Sequence, residues 1–146
     1  ECLLWDMDGV LVDVSGSYRE AILKTAAHFG ANITHQDIGA AKARGGANND
    51  WKLTYDLIHA HKKTDGSSPT LEEVTKEFEL LYQGTPTSPG LKKLETLLPS
   101  LKVLEELSKK YKMGIVTGRP KSDCEYALQT MGIAHIFQHC GCMEDG

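Results

Sequence analysis

Near the start of the chain, in CLLWDMDGVLVD, two carboxylates arrive with one residue between them: Asp6 and Asp8. On an extended chain side chains repeat every two residues, so both point to the same side. Like charges held that close disturb one another's protonation, and a fold tolerates this where a metal or a reaction uses the pair. Gly9 follows at once and permits a sharp departure of the chain. A second polar constellation ends the apolar run MGIVTGRP. Thr117 supplies a hydroxyl, Gly118 an accessible backbone N–H, and Arg119 a fixed positive charge. An acidic pair and a set of donors, brought to one crevice, can hold a divalent cation and an anionic phosphoryl group together.

The elements that must bring them there follow from the patterning. Cys2 to Trp5 reads as a buried strand of a parallel sheet, where both faces are covered and alternation is lost. Ser17 and Glu20 have capping-box spacing ahead of a helix that carries Ile22, Ala26 and Phe29 and ends at Gly30. A second helix follows Thr34 and stops at Gly45-Gly46. Trp51, Tyr55 and Ile58 mark a third, which stops before Gly66. Thr70 and Glu73 repeat the capping box, and Leu71, Val74, Phe78, Leu81 and Tyr82 stripe a fourth up to Gly84. TPTSPG (85–90) is loop chemistry and marks a boundary. Beyond it come a helix with Leu101, Leu104 and Leu107, a strand at 113–118, a helix capped by Ser122 and Glu125, and a last strand within 136–143. The expected fold is α/β: a Rossmann-like parallel-sheet core formed by residues 1–14 and 88–146, truncated, with an all-helical cap inserted as residues 15–87. Parallel α/β sheets bind ligands at the carboxyl ends of their strands, which is where both polar clusters fall.

Bulk properties narrow the function. The chain of 146 residues has 40% hydrophobic and 25% charged residues and a formal net charge of −4. This acidic balance argues against a nucleic-acid partner, and no apolar run approaches the roughly 20 residues that span a membrane. Four cysteines without secretory context suggest reduced thiols and a cytoplasmic or other reducing compartment, with a removed targeting segment left open. In HIFQHCGC the C-x-C spacing is wrong for zinc, so buried thiols and surface imidazoles are expected. ARGGANNDW (43–51) joins two helices; it is either a plain connection capped by Asn49 or a loop that faces substrate through Arg44 or Asn48.

DMDGV after an apolar strand, followed by VTGR after a helical insertion, resembles motifs one and two of the haloacid dehalogenase-like hydrolase superfamily, and the insertion resembles the cap of its phosphatase-type members. The resemblance implies a phosphomonoester hydrolase acting on a small phosphorylated metabolite. Asp6 would be the nucleophile that forms an aspartyl-phosphate, and Asp8 the acid and then the base. Mg²⁺ would sit on Asp6 and Asp8, and Thr117, Gly118 and Arg119 would hold the phosphoryl group. A phosphomutase of the same superfamily and an inactive binding module remain as alternatives. The family also uses a lysine in a third motif and an acidic pair in a fourth. The chain reaches CMEDG before either, so a piece of a longer phosphatase is expected, with one flank of the first strand left open to self-association.

Overall fold

In the computed structural model, which describes residues 1–45, 49–62 and 68–145, strand β1 (Cys2–Trp5) and the short β2 (Val12–Asp13) precede four helices: α1 (Tyr18–His28), α2 (His35–Ala43), α3 (Asp50–His61) and α4 (Leu71–Gln83). A small hairpin follows, β3 (Gly84–Thr85) with β4 (Ser88–Pro89), and then a 3-10 turn at Leu91–Leu94. The chain continues through β5 (Thr96–Leu97), α5 (Leu101–Lys110), β6 (Lys112–Val116), α6 (Lys121–Thr130), β7 (His139–Gly141) and a 3-10 turn at Met143–Asp145. Contacts divide it into an α/β unit, residues 1–14 with 95 onward, and a helical unit, Ser15–Leu94.

The α/β unit is built on a parallel sheet of order β1-β6-β7. Trp5 pairs with Ile115, and Ile115 with Cys140, so all the strands deliver their carboxyl ends to one edge. The core gathers Met113 and Ile115 of β6 with Leu104 of α5 and Cys124, Ala127 and Leu128 of α6. Side chains alternate along a strand, so Leu4, Gly114 and Val116 share the other face. There Leu4 and Val116 are 70% and 56% exposed, and a Cβ on Gly114 would meet Leu4 Cδ2 at 3.2 Å. This corrects the expectation that β1 is buried on both faces: among the described residues it pairs on one side only, and its residues alternate between exposed and half-buried. A second pairing escaped the sequence reading. β2 and β5 run antiparallel, with Val12 opposite Leu97 and Asp13 opposite Thr96.

The helical unit packs α1 against α3 and α4. Tyr18 stacks on Tyr82 at 4.4 Å between centroids and lies 6.0 Å from Phe78, so the stripe of α4 is anchored by aromatics. The capping boxes at Thr34 and Thr70 form, each hydroxyl accepting from the N3 backbone while Asp37 or Glu73 accepts from the cap. In the first, hydrogen bonds to the Thr34 backbone and side chain hold the Asp37 carboxyl below its ordinary value. Ser17 makes no side-chain cap bond, and α6 starts at Lys121 behind Pro120 without the Ser122–Glu125 box. On α3 the buried stripe is Leu53, Thr54, Leu57 and Ile58; Trp51 lies half-buried and donates its ring N–H to Glu79 at 3.0 Å. The residues 85–90 are not a loose boundary but the tip and return strand of the β3–β4 hairpin, with Gly84 paired to Pro89. Through the 3-10 turn that follows, residues 88–94 group with α1 and α4, so the division falls after Leu94 and not after residue 87.

Two predictions follow from this packing. Gly84 adopts φ +86°, and a Cβ on Gly90 would strike the Tyr82 carbonyl and the Gln83 peptide. Gly90→Ala should therefore cost about 1–3 kcal/mol through overpacking, read as a lower urea midpoint at unchanged slope. The second concerns thiols. Burial, with Cys140 and Cys142 beside it, pushes the Cys124 thiol above its ordinary value of 9.0, and burial does the same to Cys142. A raised value in the fold means that the stabilising effect of the protonated thiol is complete below the ordinary value and is lost as pH rises from that value to the raised one. The melting temperature should thus fall as pH rises above 9.0, and Cys124→Ala should flatten that slope. An unchanged slope would show that other groups cause it.

Candidate active site

The acidic pair sits where β1 leaves the sheet. Met7 is fully buried, and its carbonyl accepts from the N–H groups of Val10, Leu11 and Val12 at 3.3, 2.9 and 2.9 Å. Gly9 turns the chain at φ +79° and donates to Val12 O at 2.8 Å, a conformation that a side chain would strain. With Met7 pinned inward, its neighbours face outward. Asp6 is exposed, one Oδ1 accepting from Met7 N at 2.7 Å, and Asp8 is half-buried.

The donor cluster sits one strand away. Thr117 follows directly on β6; its N–H donates to Gly141 O at 2.8 Å, and its hydroxyl oxygen accepts from Arg119 N at 3.1 Å. The Thr117 N–H is therefore consumed by the sheet, while the hydroxyl proton remains a possible donor. Gly118 is exposed between them. Because β1 and β6 are parallel and in register, Asp6, Asp8, Thr117 and Gly118 come to the same edge of the sheet.

Arg119 does not do what its charge suggested. Its side chain is 1% exposed and faces the interior. Nε donates to Asp8 Oδ1 at 2.7 Å, while the two terminal nitrogens donate to Glu95 at 3.2 and 3.0 Å and one also lies 3.5 Å from Asp123 O. The expected phosphate ligand is thus a buried partner of two carboxylates. Glu95, equally buried, was not singled out in the sequence. The signal available was an acid placed directly after LKKL and before TLLPS, where nothing in the periodicity demanded a charge.

The remaining residues of interest lie elsewhere. Glu144 accepts from the N–H of Lys121 at 2.9 and 3.2 Å and so caps α6, and Asp145 accepts from Cys142 N at 2.9 Å. Cys142 is buried, Cys140 half-buried, and His135 and His139 exposed. Arg44 ends α2 in the helical unit and, with Asn49, Lys52, Asp56 and His61, lines a cavity of about 260 Å³. Asn49 accepts from Trp51 N and Lys52 N as the cap of α3. Asn48 lies outside the described residues.

The donors at the β1 turn test the expected cation. Among the described residues no three His, Cys, Asp or Glu side chains cluster as a metal cage. The Asp6 carboxylate and the Asp8 main-chain carbonyl are hard oxygens, and Mg²⁺ commonly takes one or two carboxylates together with water and substrate oxygens. The donor set fits such an ion by type.

Over 139 residues the chain is 50% identical to an imidazoleglycerol-phosphate dehydratase of Phytophthora nicotianae, covering 94% of the chain and 31% of that protein. It thus spans less than a third of this curated relative. Among solved structures it is similar to phosphatase Tt82 from Thermococcus thioreducens, at a TM-score of 0.77 and 24% identity, covering 100% of this chain and 74% of that one. A predicted phosphoglycolate phosphatase from Haemophilus somnus matches at 0.73 and 19%, covering 98% and 62%. A haloacid dehalogenase-like family hydrolase from Streptococcus pneumoniae matches at 0.70 and 20%, covering 97% and 60%. At these identities the likeness is one of fold, an α/β Rossmann-like core with helical parts. The haloacid dehalogenase-like hydrolase family model fits residues 3–146; with both polar clusters at strand ends inside that span, the chain belongs to this family of hydrolases.

Proposed function

We propose that the chain carries the nucleophile and the acid–base residue of a phosphomonoester hydrolase that acts on a small phosphorylated metabolite. The observation that carries this reading is the pair Asp6 and Asp8 at the carboxyl end of β1, with Thr117 and Gly118 at the same edge of the sheet. The exposed Asp6 has an oxygen available to attack phosphorus. As the new P–O bond forms, the bond to the leaving oxygen breaks, and that oxygen takes a proton from Asp8. Asp6 then carries the phosphoryl group. A water molecule attacks the same phosphorus and gives its proton to Asp8; phosphate leaves and the Asp6 carboxylate returns. The Thr117 hydroxyl and the exposed Gly118 backbone supply donors for the equatorial oxygens as charge redistributes. Mg²⁺, held by the Asp6 carboxylate and the Asp8 carbonyl, would supply charge neutralisation at the phosphoryl oxygens.

The name of the Phytophthora relative contains a small phosphorylated metabolite, which agrees with the proposed size class. Its dehydratase activity is not assigned to these residues, because the matched stretch is the part that fits the hydrolase family. A phosphomutase would use the same two aspartates and return the phosphoryl group to substrate, and phosphate release separates the two. In the full-length protein Asp6→Asn should abolish Mg²⁺-dependent phosphate release. Asp8→Asn should lower turnover about 10²–10⁴-fold but still allow a burst of aryl alcohol from an aryl phosphate, with the phosphoryl group trapped on Asp6. Mass spectrometry showing phosphate on any other residue would overturn the mechanism.

The cavity lined by Arg44 supports a reading in which the helical unit sets substrate choice. Arg44→Ala should raise KM for the natural substrate roughly tenfold, the effect of about 1.4 kcal/mol of lost binding, and leave a small aryl phosphate unchanged. Equal losses on both substrates would make Arg44 structural.

A further inference from the structure

The three-way contact at Arg119 assigns a role that the motif does not. Its guanidinium has a fixed fork of donors, and the structure divides that fork between two acids. Glu95 takes the two terminal nitrogens, at 3.2 and 3.0 Å, and Asp8 takes Nε at 2.7 Å. Glu95 and Arg119 are each 1% exposed, whereas Asp8 is 33% exposed. The group that must meet substrate is thus the outermost of the three, and the other two are sealed behind it. The backbone of Arg119 is tied as well: its N–H donates to Thr117 Oγ1 at 3.1 Å, and its carbonyl accepts from Met143 N at 2.8 Å. The guanidinium therefore has a fixed origin. Glu95 is fixed from its own side, as the residue that precedes β5 and its pairing with β2.

We propose that Glu95 and Arg119 are positioning residues for Asp8: Glu95 orients the guanidinium, and the guanidinium holds one carboxylate oxygen of Asp8 in the direction from which it exchanges protons with the leaving group and with water. The pair touches neither phosphorus nor the leaving oxygen. A bidentate clamp on one side restricts rotation of the Arg119 side chain, so Nε–H is presented to Asp8 in a single orientation. A lysine in place of Arg119 keeps the charge but provides no fork, and it would leave Asp8 attracted without being oriented. This inference rests on the proposed acid–base role of Asp8.

A double-mutant cycle in the full-length protein tests it, with steady-state kcat measured on an alkyl phosphomonoester, whose poor leaving group needs the acid, and burst rate measured on an aryl phosphate, whose leaving group does not. Glu95→Gln keeps the shape of the side chain and Glu95→Ala removes the clamp. Cooperative melting confirms that each variant is folded before rates are compared. Expected are a loss of kcat on the alkyl substrate of roughly tenfold or more for both variants, a spared burst on the aryl substrate, and a further loss close to onefold when either is combined with Asp8→Asn. Arg119→Lys should lose kcat in the same way, with KM nearly unchanged. Multiplicative losses in the Asp8→Asn background would show that Glu95 acts elsewhere and would overturn the inference. So would equal losses on both substrates, or failure of both Glu95 variants to fold, because each marks the pair as structural. An Asp8→Asn variant with full activity would instead overturn the proposed function itself, and the two failures are thereby told apart.

Discussion

A guanidinium shut away from water has to be met by carboxylates, because an uncompensated buried charge costs several kcal/mol. Arg119 meets this constraint with acids drawn from distant parts of the chain: Asp8 from the turn after β1 and Glu95 from the segment leading into β5. Its own backbone closes the loop after β6 through Thr117 and holds the segment after β7 through Met143. One residue, through its side chain and its backbone, thus joins the polar segments that gather at the carboxyl edge of the sheet. Their mutual arrangement is set by how many donors a guanidinium has and by where each must find an oxygen.

The consequence for the chemistry is a division between two neighbouring aspartates. Both leave β1 on the same side, yet their surroundings differ. Asp6 is exposed and bonded only locally to the next amide among the contacts described, while Asp8 is half-withdrawn and gripped from inside. In the proposed mechanism Asp6, as nucleophile, needs access to its target, and Asp8, as acid and base, needs a stable direction. The turn around Met7 provides both, since burying one side chain between the two aspartates sends them into different environments without separating them along the chain.

Much of this was legible in the sequence. The apolar run into DMDG and the apolar run into TGR marked the strands and the ends where the polar clusters gather, and the Thr34 and Thr70 boxes marked helix starts, because each signal is local and obeys a known spacing. What could not be read was tertiary. Arg119 looked like a ligand for phosphate because a cation in a turn has no visible partner in one dimension; its partners lie 111 and 24 residues away. The cap of α6 is another such case. Ser122 had the right spacing, but Glu144, from beyond β7, takes the helix N-terminus. The β2–β5 pairing was missed because strands this short carry no periodicity. The burial of β1 was misjudged because an apolar run reports what a strand can bury and not which neighbours it has.

That short pairing has a further meaning for how such a protein can change. Asp13 and Thr96 stand opposite one another, about 5 Å apart as antiparallel partners are, so the whole of Ser15–Leu94 departs and returns at a single point of the α/β unit. Topologically the helical unit is one long excursion closed at its base. The entropy of closing a loop grows only with the logarithm of its length, about 0.6 kcal/mol for each doubling. Helices can then be lengthened, lost or exchanged within the excursion while the strand ends that hold the two aspartates keep their register. Selection can revise the helical unit without moving the two aspartates.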